Sequence, residues 1–214
     1  MHRGGQLRSA LAAVGTHLPC FRVGSQIVLD LSEFPHQRVV ELARPQAGAA
    51  LETVLAAFRA EKLPSIGASA AASGAFLLGI GPGLWLLIAF ENAPPEFPGA
   101  KLEAAFEVAV ETGDAWTQFA ISGSASRDLL AKGCALDLHP SAFREGGCAV
   151  TRIAQLRCVL HHVGAGYRLL VGRSYAVSLA EWLIESAFEF GLGLQAEVQA
   201  EAPSREKRSF THST

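Results

Sequence analysis

The residues best suited to acid–base chemistry in this 214-residue chain are Asp137 and His139, which stand two positions apart. A carboxylate that orients an imidazole is a common arrangement for a general base. On an extended loop the two side chains can share one side of the backbone without meeting. The simpler interpretation is that Asp137 accepts hydrogen bonds from loop amides and His139 packs beside Pro140.

Metal chemistry is the second possibility to weigh. The four cysteines show no pair with the two-residue spacing of a zinc knuckle or a redox motif: Cys20, Cys134, Cys148 and Cys158. Histidines follow them at His139, His161 and His162, so a metal site is conceivable. However, buried free cysteines also act as small hydrophobes. Consecutive residues of a strand face opposite sides, so His161 and His162 cannot easily share one metal. We expect free thiols and a reducing, cytoplasmic compartment.

The nucleotide and nucleophile motifs are missing. No Gly-x-Gly-x-x-Gly opens a helix after a strand, and there is no Walker A loop. Ser122-Gly123-Ser124 lacks the second glycine of a nucleophile elbow and is more typical of a turn. Arg173-Ser174 could bind an anion at a helix N-terminus, but helix capping alone accounts for the serine.

Composition narrows the kinds of partner. Half of the residues are apolar, 18% are charged, and the formal net charge is -2. There is no basic stripe with interleaved aromatics, so no nucleic acid is expected as a partner. So little charge fits a chain that keeps apolar surface for a partner protein, although a thick core explains the same composition.

Residues 63–90 contain no charged side chain, and a run of this length can span a bilayer as a helix. Gly81-Pro82-Gly83 interrupts the run, because proline lacks a backbone N–H and the glycines favour a turn. Residues 75–80 and 84–90 have strand length. The sequence therefore predicts a buried hairpin, and we expect no membrane association.

The remaining elements predict an α+β fold. Short β-branched or alternating runs predict strands at residues 26–29, 38–42, 108–110, 116–121, 149–156, 159–163 and 167–171. Apolar spacing and capping residues predict helices at 49–62, at 100–106, from Ser124 to 133, and from Ser174 to 190. Strands and helices do not alternate steadily, so antiparallel sheets with helices packed on one face are expected.

The predicted organisation has four parts. An N-terminal arm covers 1–24 and a first α+β lobe covers 25–98, ending in a proline-rich loop at 92–98. A second α+β lobe covers 99–192. The polar residues of 193–214 are expected to be disordered, because they cannot bury enough surface to fold.

One ordered series of residues carries more specific information than the secondary-structure propensities do. It begins at Asp114-Ala115-Trp116, continues through residues 127–140, and ends at residues 173–176 and Trp182-Leu183. The series resembles the signature of the gamma subunit of heterotetrameric sarcosine oxidase over residues 107–190, most specifically at residues 130–140. Upstream, residues 78–87 resemble the hairpin of that family. The chain is either an ordinary gamma subunit or a divergent relative that serves a related amine oxidase.

The resemblance implies a non-catalytic subunit of a complex that oxidatively demethylates sarcosine to glycine and passes the one-carbon unit to tetrahydrofolate. It implies that this chain binds no cofactor or metal, and that FAD, FMN, NAD, zinc and tetrahydrofolate are held by other subunits, together with the catalytic residues. The implied partners are the alpha, beta and delta subunits, alpha most directly. The implied fold is similar to the folate-binding lobes of aminomethyltransferases.

The alternative hypothesis is a stand-alone folate-binding or aminomethyltransferase-like protein. A pterin site needs a carboxylate, which Glu111, Asp114 or Asp137 could supply. Fold similarity alone does not transfer function.

Two patches are candidates for partner contact under the subunit hypothesis. The first is the loop of residues 134–147, which is too long and irregular to be needed for the fold. Its candidate residues are Asp137, His139, Phe143 and Arg144. The second is the apolar hairpin around Trp85.

Overall fold

The computed structural model describes residues 29–34, 38–90, 99–190 and 192–195. The strands in chain order are β1 (Leu29–Phe34), β2 (Arg38–Pro45), β3 (Ser69–Ala72), β4 (Ala75–Gly81), β5 (Leu84–Ala89), β6 (Phe106–Glu111), β7 (Trp116–Ser122), β8 (Cys148–Ile153), β9 (Leu156–Val163), β10 (Gly166–Gly172) and β11 (Leu192–Gln195). The helices are α1 (Ala49–Ala57), α2 (Gly99–Ala105), α3 (Ser126–Ala131) and α4 (Ala176–Ala187).

The strands form two sheets. One has six strands in the order β11-β1-β7-β10-β9-β8, and the other has five in the order β3-β4-β5-β2-β6. In the part of the chain that the structure describes, every strand pair is antiparallel except β1 with β11. Because β1 belongs to the six-stranded sheet and β6 to the five-stranded one, each sheet combines strands that are distant in sequence.

The two sheets pack face to face, with helices on their outer sides. Residues of both sheets meet in one apolar cluster that includes Leu78, Leu86, Val159 and Leu170. Helices α1 and α2 cover the outer face of the five-stranded sheet. Helices α3 and α4 cover the outer face of the six-stranded sheet. The predicted α+β class, with antiparallel sheets and helices on one face of each, is confirmed.

Strands β4 and β5 form the predicted hairpin. Alternate residues of β5 enter different cores, since Leu86 and Ile88 face the other sheet whereas Leu87 and Ala89 face the helices. A strand buried on both faces is apolar throughout, which explains the long uncharged run. No helix of the described residues is long and apolar enough to cross a membrane.

Several local predictions were wrong. Ser124 and Ser174 cap no helix, because the residues at the cap positions are Ala125 and Tyr175 and neither makes a side-chain cap bond. Helix α1 ends at Ala57 rather than at 62, and Arg59 just beyond it has a positive φ of 53° that takes the chain out of the helix. The helix predicted from Ser174 to 190 is present as α4, but it begins at Ala176 and ends at Ala187.

The strands also differ from the prediction. Strand β3, at Ser69–Ala72, was not among the predicted strands. Strand β8 stops at Ile153, and β9 begins at Leu156 after a turn in which Ala154 and Gln155 both have positive φ. Neither is a residue that normally marks such a turn. The predicted strand at 26–29 lies outside the described residues except for Leu29, and so do the arm at 1–24 and the proline-rich loop at 92–98. In the tail predicted to be disordered, residues 193–195 instead continue β11, which pairs with β1, and residues 196–214 lie outside the described residues.

Candidate functional site

The loop of residues 134–147, a predicted partner contact, contains a turn closed by Asp137. Oδ1 of Asp137 accepts a hydrogen bond from the backbone N of His139 at 2.9 Å. Nδ1 of His139 lies 2.7 Å from the Ser141 hydroxyl and accepts a bond from the Ser141 backbone N at 3.3 Å. The carboxylate therefore bonds to the backbone, as predicted for Asp137, whereas the imidazole bonds to Ser141.

The next turn of the loop buries Phe143. Backbone N atoms of Ala142 and Phe143 both bond to the carbonyl of His139 at 2.9 Å. The Phe143 ring is 7% exposed and stacks on His162, which in turn stacks on Tyr167 with ring centres 4.7 Å apart. Phe143 therefore anchors the loop to the six-stranded sheet, while Asp137, His139 and Arg144 remain exposed.

The end of the loop ties the two sheets together. The carbonyl of Gly146 accepts bonds from both the backbone N and the hydroxyl of Ser69, at 2.9 and 2.8 Å. Two residues further, the backbone N of Cys148 bonds to the carbonyl of Gly67 at 2.9 Å. The loop is irregular, but it has a structural role, because its last residues connect β8 of one sheet to β3 of the other.

A buried histidine stands behind this junction. His161 is 1% exposed, its Nε2 lies 2.9 Å from Ser69 Oγ, and its ring packs against Phe76 of the other sheet. Because the Ser69 hydroxyl donates to Gly146, Nε2 of His161 carries the proton. Burial, followed by the positive Arg168, lowers the pKa of His161 to about 3. The imidazole is thus a neutral structural group.

Arg168 lies between the sheets and was missed by the sequence reasoning. It pairs with His161 across β10 and β9, and its guanidinium lies 5.4 Å from the centre of the Phe76 ring and 4.7 Å from that of Phe90. Burial lowers the pKa of Arg168 to about 10, so it remains a cation at neutral pH. The signal that could have identified Arg168 was a charged residue within the otherwise apolar strand predicted at 167–171.

The resemblance residues near α3 and α4 hold the helices together. Gly133 lies under the Trp182 ring, where no side chain would fit. Nζ of Lys132 bonds to the Ser186 carbonyl and to Glu189, both at 2.9 Å. A cation at the C-terminal end of a helix compensates the exposed carbonyls there.

Arg173 connects the two ends of the same series. Its Nε donates to the carbonyl of Asp114 at 2.6 Å, and its Nη2 donates to that of Trp116 at 3.3 Å. These bonds use two of the five N–H donors of the guanidinium. The Arg173 side chain therefore fixes the start of β7 against the start of α4.

Trp85 lies apart from the loop. Its Nε1 donates to the Pro64 carbonyl at 2.9 Å, and its ring packs near Phe106 in the core beneath α1 and α2. Phe143 belongs to the core on the opposite side of the paired sheets. The structure brings Asp137, His139, Phe143 and Arg144 into one loop but does not bring Trp85 to it.

The three described cysteines take part in no metal-binding group. Within the described residues, no group of three or more His, Cys, Asp or Glu side chains could hold a metal ion. Cys134, Cys148 and Cys158 are free and buried. Burial raises the pKa of Cys148 to about 11 and that of Cys158 to about 12, so both remain protonated thiols.

Two of the three carboxylates that could serve a folate-binding protein already make contacts within this chain. Glu111 forms a two-bond ion pair with Arg38, at 2.8 and 2.9 Å. Asp137 closes its own turn, as described above. Asp114 is exposed in the turn that precedes β7, where its backbone carbonyl accepts the bond from Arg173.

The architecture has known counterparts. A chain of the heterotetrameric sarcosine oxidase from Corynebacterium sp. U-96, solved in complex with pyrrole 2-carboxylate, is 25% identical with a TM-score of 0.72, and the match covers 90% of this chain and 98% of that one. Aminomethyltransferase T of the glycine cleavage system from Bartonella henselae has a TM-score of 0.55 at 18% identity, with 79% of this chain and 48% of that one covered. The second likeness concerns the fold alone.

Sequence comparison identifies the family. No curated protein sequence matches the chain significantly. Residues 43–189, well over half of the chain, match the model of the sarcosine oxidase gamma subunit family. This range contains the central strands of both sheets, the loop of residues 134–147 and the contacts between α3 and α4. The chain therefore belongs to the sarcosine oxidase gamma subunit family.

Proposed function

We propose that the chain is the non-catalytic gamma subunit of a heterotetrameric sarcosine oxidase. The complex demethylates sarcosine oxidatively to glycine and passes the one-carbon unit to tetrahydrofolate. The chain docks mainly on the alpha subunit, in a cytoplasmic assembly with the beta and delta subunits, and helps to seal the path of the one-carbon unit. FAD, FMN, NAD, zinc and tetrahydrofolate are bound by the other subunits.

One observation carries the proposal. The residues that define the resemblance make contacts inside this chain: Lys132 with Glu189, Gly133 with Trp182, Asp137 with His139, and Arg173 with Asp114. A series of residues devoted to packing and turns is typical of a subunit whose task is to present a surface. The family match and the similar chain of a heterotetrameric oxidase support the same conclusion.

The loop of residues 134–147 is the first proposed contact with the partner. Asp137, His139 and Arg144 offer charged and polar groups at its surface, and the buried Phe143 keeps them in place. A rigid loop loses little conformational entropy on binding, which favours affinity. Trp85 supports the hairpin of the second proposed contact from inside.

Co-expression with the other subunits, followed by size-exclusion chromatography with flavin absorbance, tests the proposal. We expect the full chain to elute with the flavin-bearing complex. A fully active, flavin-containing monomer would contradict a non-catalytic role. A monomer that ignores the other subunits and binds tetrahydrofolate by itself would favour the folate-binding alternative, which the present observations do not support better.

A matched pair of variants tests the loop itself. Arg144→Glu reverses an exposed charge on the loop, and Arg157→Glu makes the same change at an exposed position of β9. We expect only Arg144→Glu to reduce the share of the chain that elutes with the complex, since like charges across an interface are unfavourable. Equal elution of the two variants would remove the loop from the interface.

A further inference from the structure

The hairpin of β4 and β5 exposes apolar surface on the side opposite Trp85. Trp85 packs toward α1 and α2, whereas its neighbours Leu84 and Leu86 lie on the side of the six-stranded sheet. Leu86 is buried between the sheets, but Leu84 is 47% exposed. The described part of the six-stranded sheet therefore leaves one end of this face uncovered.

The uncovered residues are neighbours across three strands. Leu84 of β5 pairs with Ala43 of β2, which pairs with Val108 of β6. In the adjoining row, Val110 of β6 pairs with Glu41 of β2. Val108 is 37% exposed and Val110 is 50% exposed. We call these five residues the Leu84 face, and the small side chain of Ala43 makes a shallow groove between its two larger neighbours.

The Leu84 face ends at an edge strand. Among the described residues, β6 pairs with β2 on one side and with no strand on the other. Natural edge strands are commonly protected by lysine, proline or a bulge, because a free edge recruits other strands. Strand β6 has no such protection, and its acids Glu107 and Glu111 are already paired with Arg44 and Arg38 on the opposite face of the sheet.

The charge on the Leu84 face is acidic. Glu41 is exposed, and none of the ion pairs found among the described residues involves it. A carboxylate beside two exposed valines is complementary to a segment that combines apolar side chains with a lysine or arginine. Such complementarity directs association and selects among partners.

We propose that the Leu84 face and the free edge of β6 accept an extended strand of a partner subunit. The strand pairs with β6, places its alternate apolar side chains beside Val108 and Val110, and extends a long basic side chain toward Glu41 on the next strand. Addition of a strand to a sheet edge combines backbone hydrogen bonds with side-chain recognition. The inference rests on the proposed function, because it requires the chain to work within a complex.

Two valine variants of the full chain test the inference. Their association with the purified partner subunits is measured by surface plasmon resonance. Val110→Glu places a carboxylate on the Leu84 face, and the matched control Val177→Glu makes the same change at a 43% exposed valine of α4. We expect Val110→Glu to weaken association by about tenfold or more and Val177→Glu to change it by no more than about twofold. Glu41→Gln should also weaken it and reduce its salt dependence.

The outcomes separate this inference from the proposed function. If the unaltered chain does not associate with the other subunits, both are lost. If it associates and Val110→Glu associates equally well, only the strand-docking inference is overturned. A melting temperature of the isolated chain that falls much more for Val110→Glu than for Val177→Glu would also overturn it, because another segment of this chain would then cover the face.

Discussion

The indole of Trp182 lies directly over Gly133, so that a Cβ atom at position 133 would overlap the six-membered ring. The backbone N of Ala154 lies on another side of the same space, 3.1 Å from the position that this Cβ atom would take. Helix α4, the end of α3 and the turn between β8 and β9 therefore meet at one glycine. This contact shows why the glycine that precedes the loop of residues 134–147 is needed for packing.

Gly133→Ala should destabilise the protein by about 1–3 kcal/mol, because an extra methyl group in a filled space forces side chains and backbone apart. Gly172→Ala is the matched control, since its new Cβ would lie 3.5 Å from Tyr175 in ordinary contact and its φ of -54° suits alanine. Urea unfolding of the two variants measures the difference. Equal midpoints would contradict the packing explanation.

Protonation of His161 should destabilise the folded chain in acid. Its pKa is about 3 in the fold, below the ordinary value of 6.5, so the unfolded chain binds a proton more readily between these values. Stability attributed to neutral His161 is complete above about pH 6.5 and falls as the pH drops toward 3. Between pH 7 and pH 5 the loss is on the order of 2 kcal/mol.

Comparison with His161→Gln isolates this contribution, because the glutamine amide can still donate to Ser69 but does not titrate. Unfolding free energies at several pH values should converge as the pH falls, since only the parent chain loses the histidine contribution. Parallel curves for the parent and the variant would mean that the buried imidazole does not control the acid sensitivity.

The ion pair of Arg38 and Glu111 should contribute little but measurable stability. Both side chains are substantially exposed, at 41% and 54%, so solvent screens the two bonds. The hydrogen bond from Arg38 lowers the pKa of Glu111, so the stabilisation is present at neutral pH and is lost in acid. Glu111→Gln should cost up to about 1 kcal/mol.

Glu107→Gln is the control for this pair. Glu107 is equally exposed at 54% but meets Arg44 through a single bond of 2.9 Å. We expect a smaller effect for Glu107→Gln, and we expect added salt to reduce the difference between the variants. Thermal melting at low and high salt measures both quantities. A larger loss of stability for Glu107→Gln than for Glu111→Gln would contradict the stronger contribution expected of the two-bond pair.

The thiols of Cys148 and Cys158 should resist alkylation in the native protein. With pKa values of about 11 and 12, on the order of one Cys148 thiol in a thousand is ionised at pH 8, and fewer Cys158 thiols are. Iodoacetamide labelling followed by peptide mass spectrometry should modify both residues in denaturant and neither in native buffer. Rapid native labelling of either would show that the core opens.

The sequence by itself determined the local elements and the family. Gly81-Pro82-Gly83 excludes a continuous helix because proline lacks a donor and the glycines favour a turn, so the hairpin of β4 and β5 was predictable. Asp137 was correctly assigned to backbone amides, because a short acid two residues before an amide readily forms such a turn. The order of residues from 114 to 183 identified the family, since few unrelated chains reproduce it.

Only the tertiary structure decided which strands pair and which faces are covered. Arg38 and Glu111 are 73 residues apart, and no local pattern brings β2 beside β6. Alternation showed that His161 and His162 face opposite sides, but the packing of Phe76 decided which of the two is buried between the sheets. The same holds for Leu84 and Trp85, because a period of two defines two faces and only the packed neighbours determine which one meets solvent.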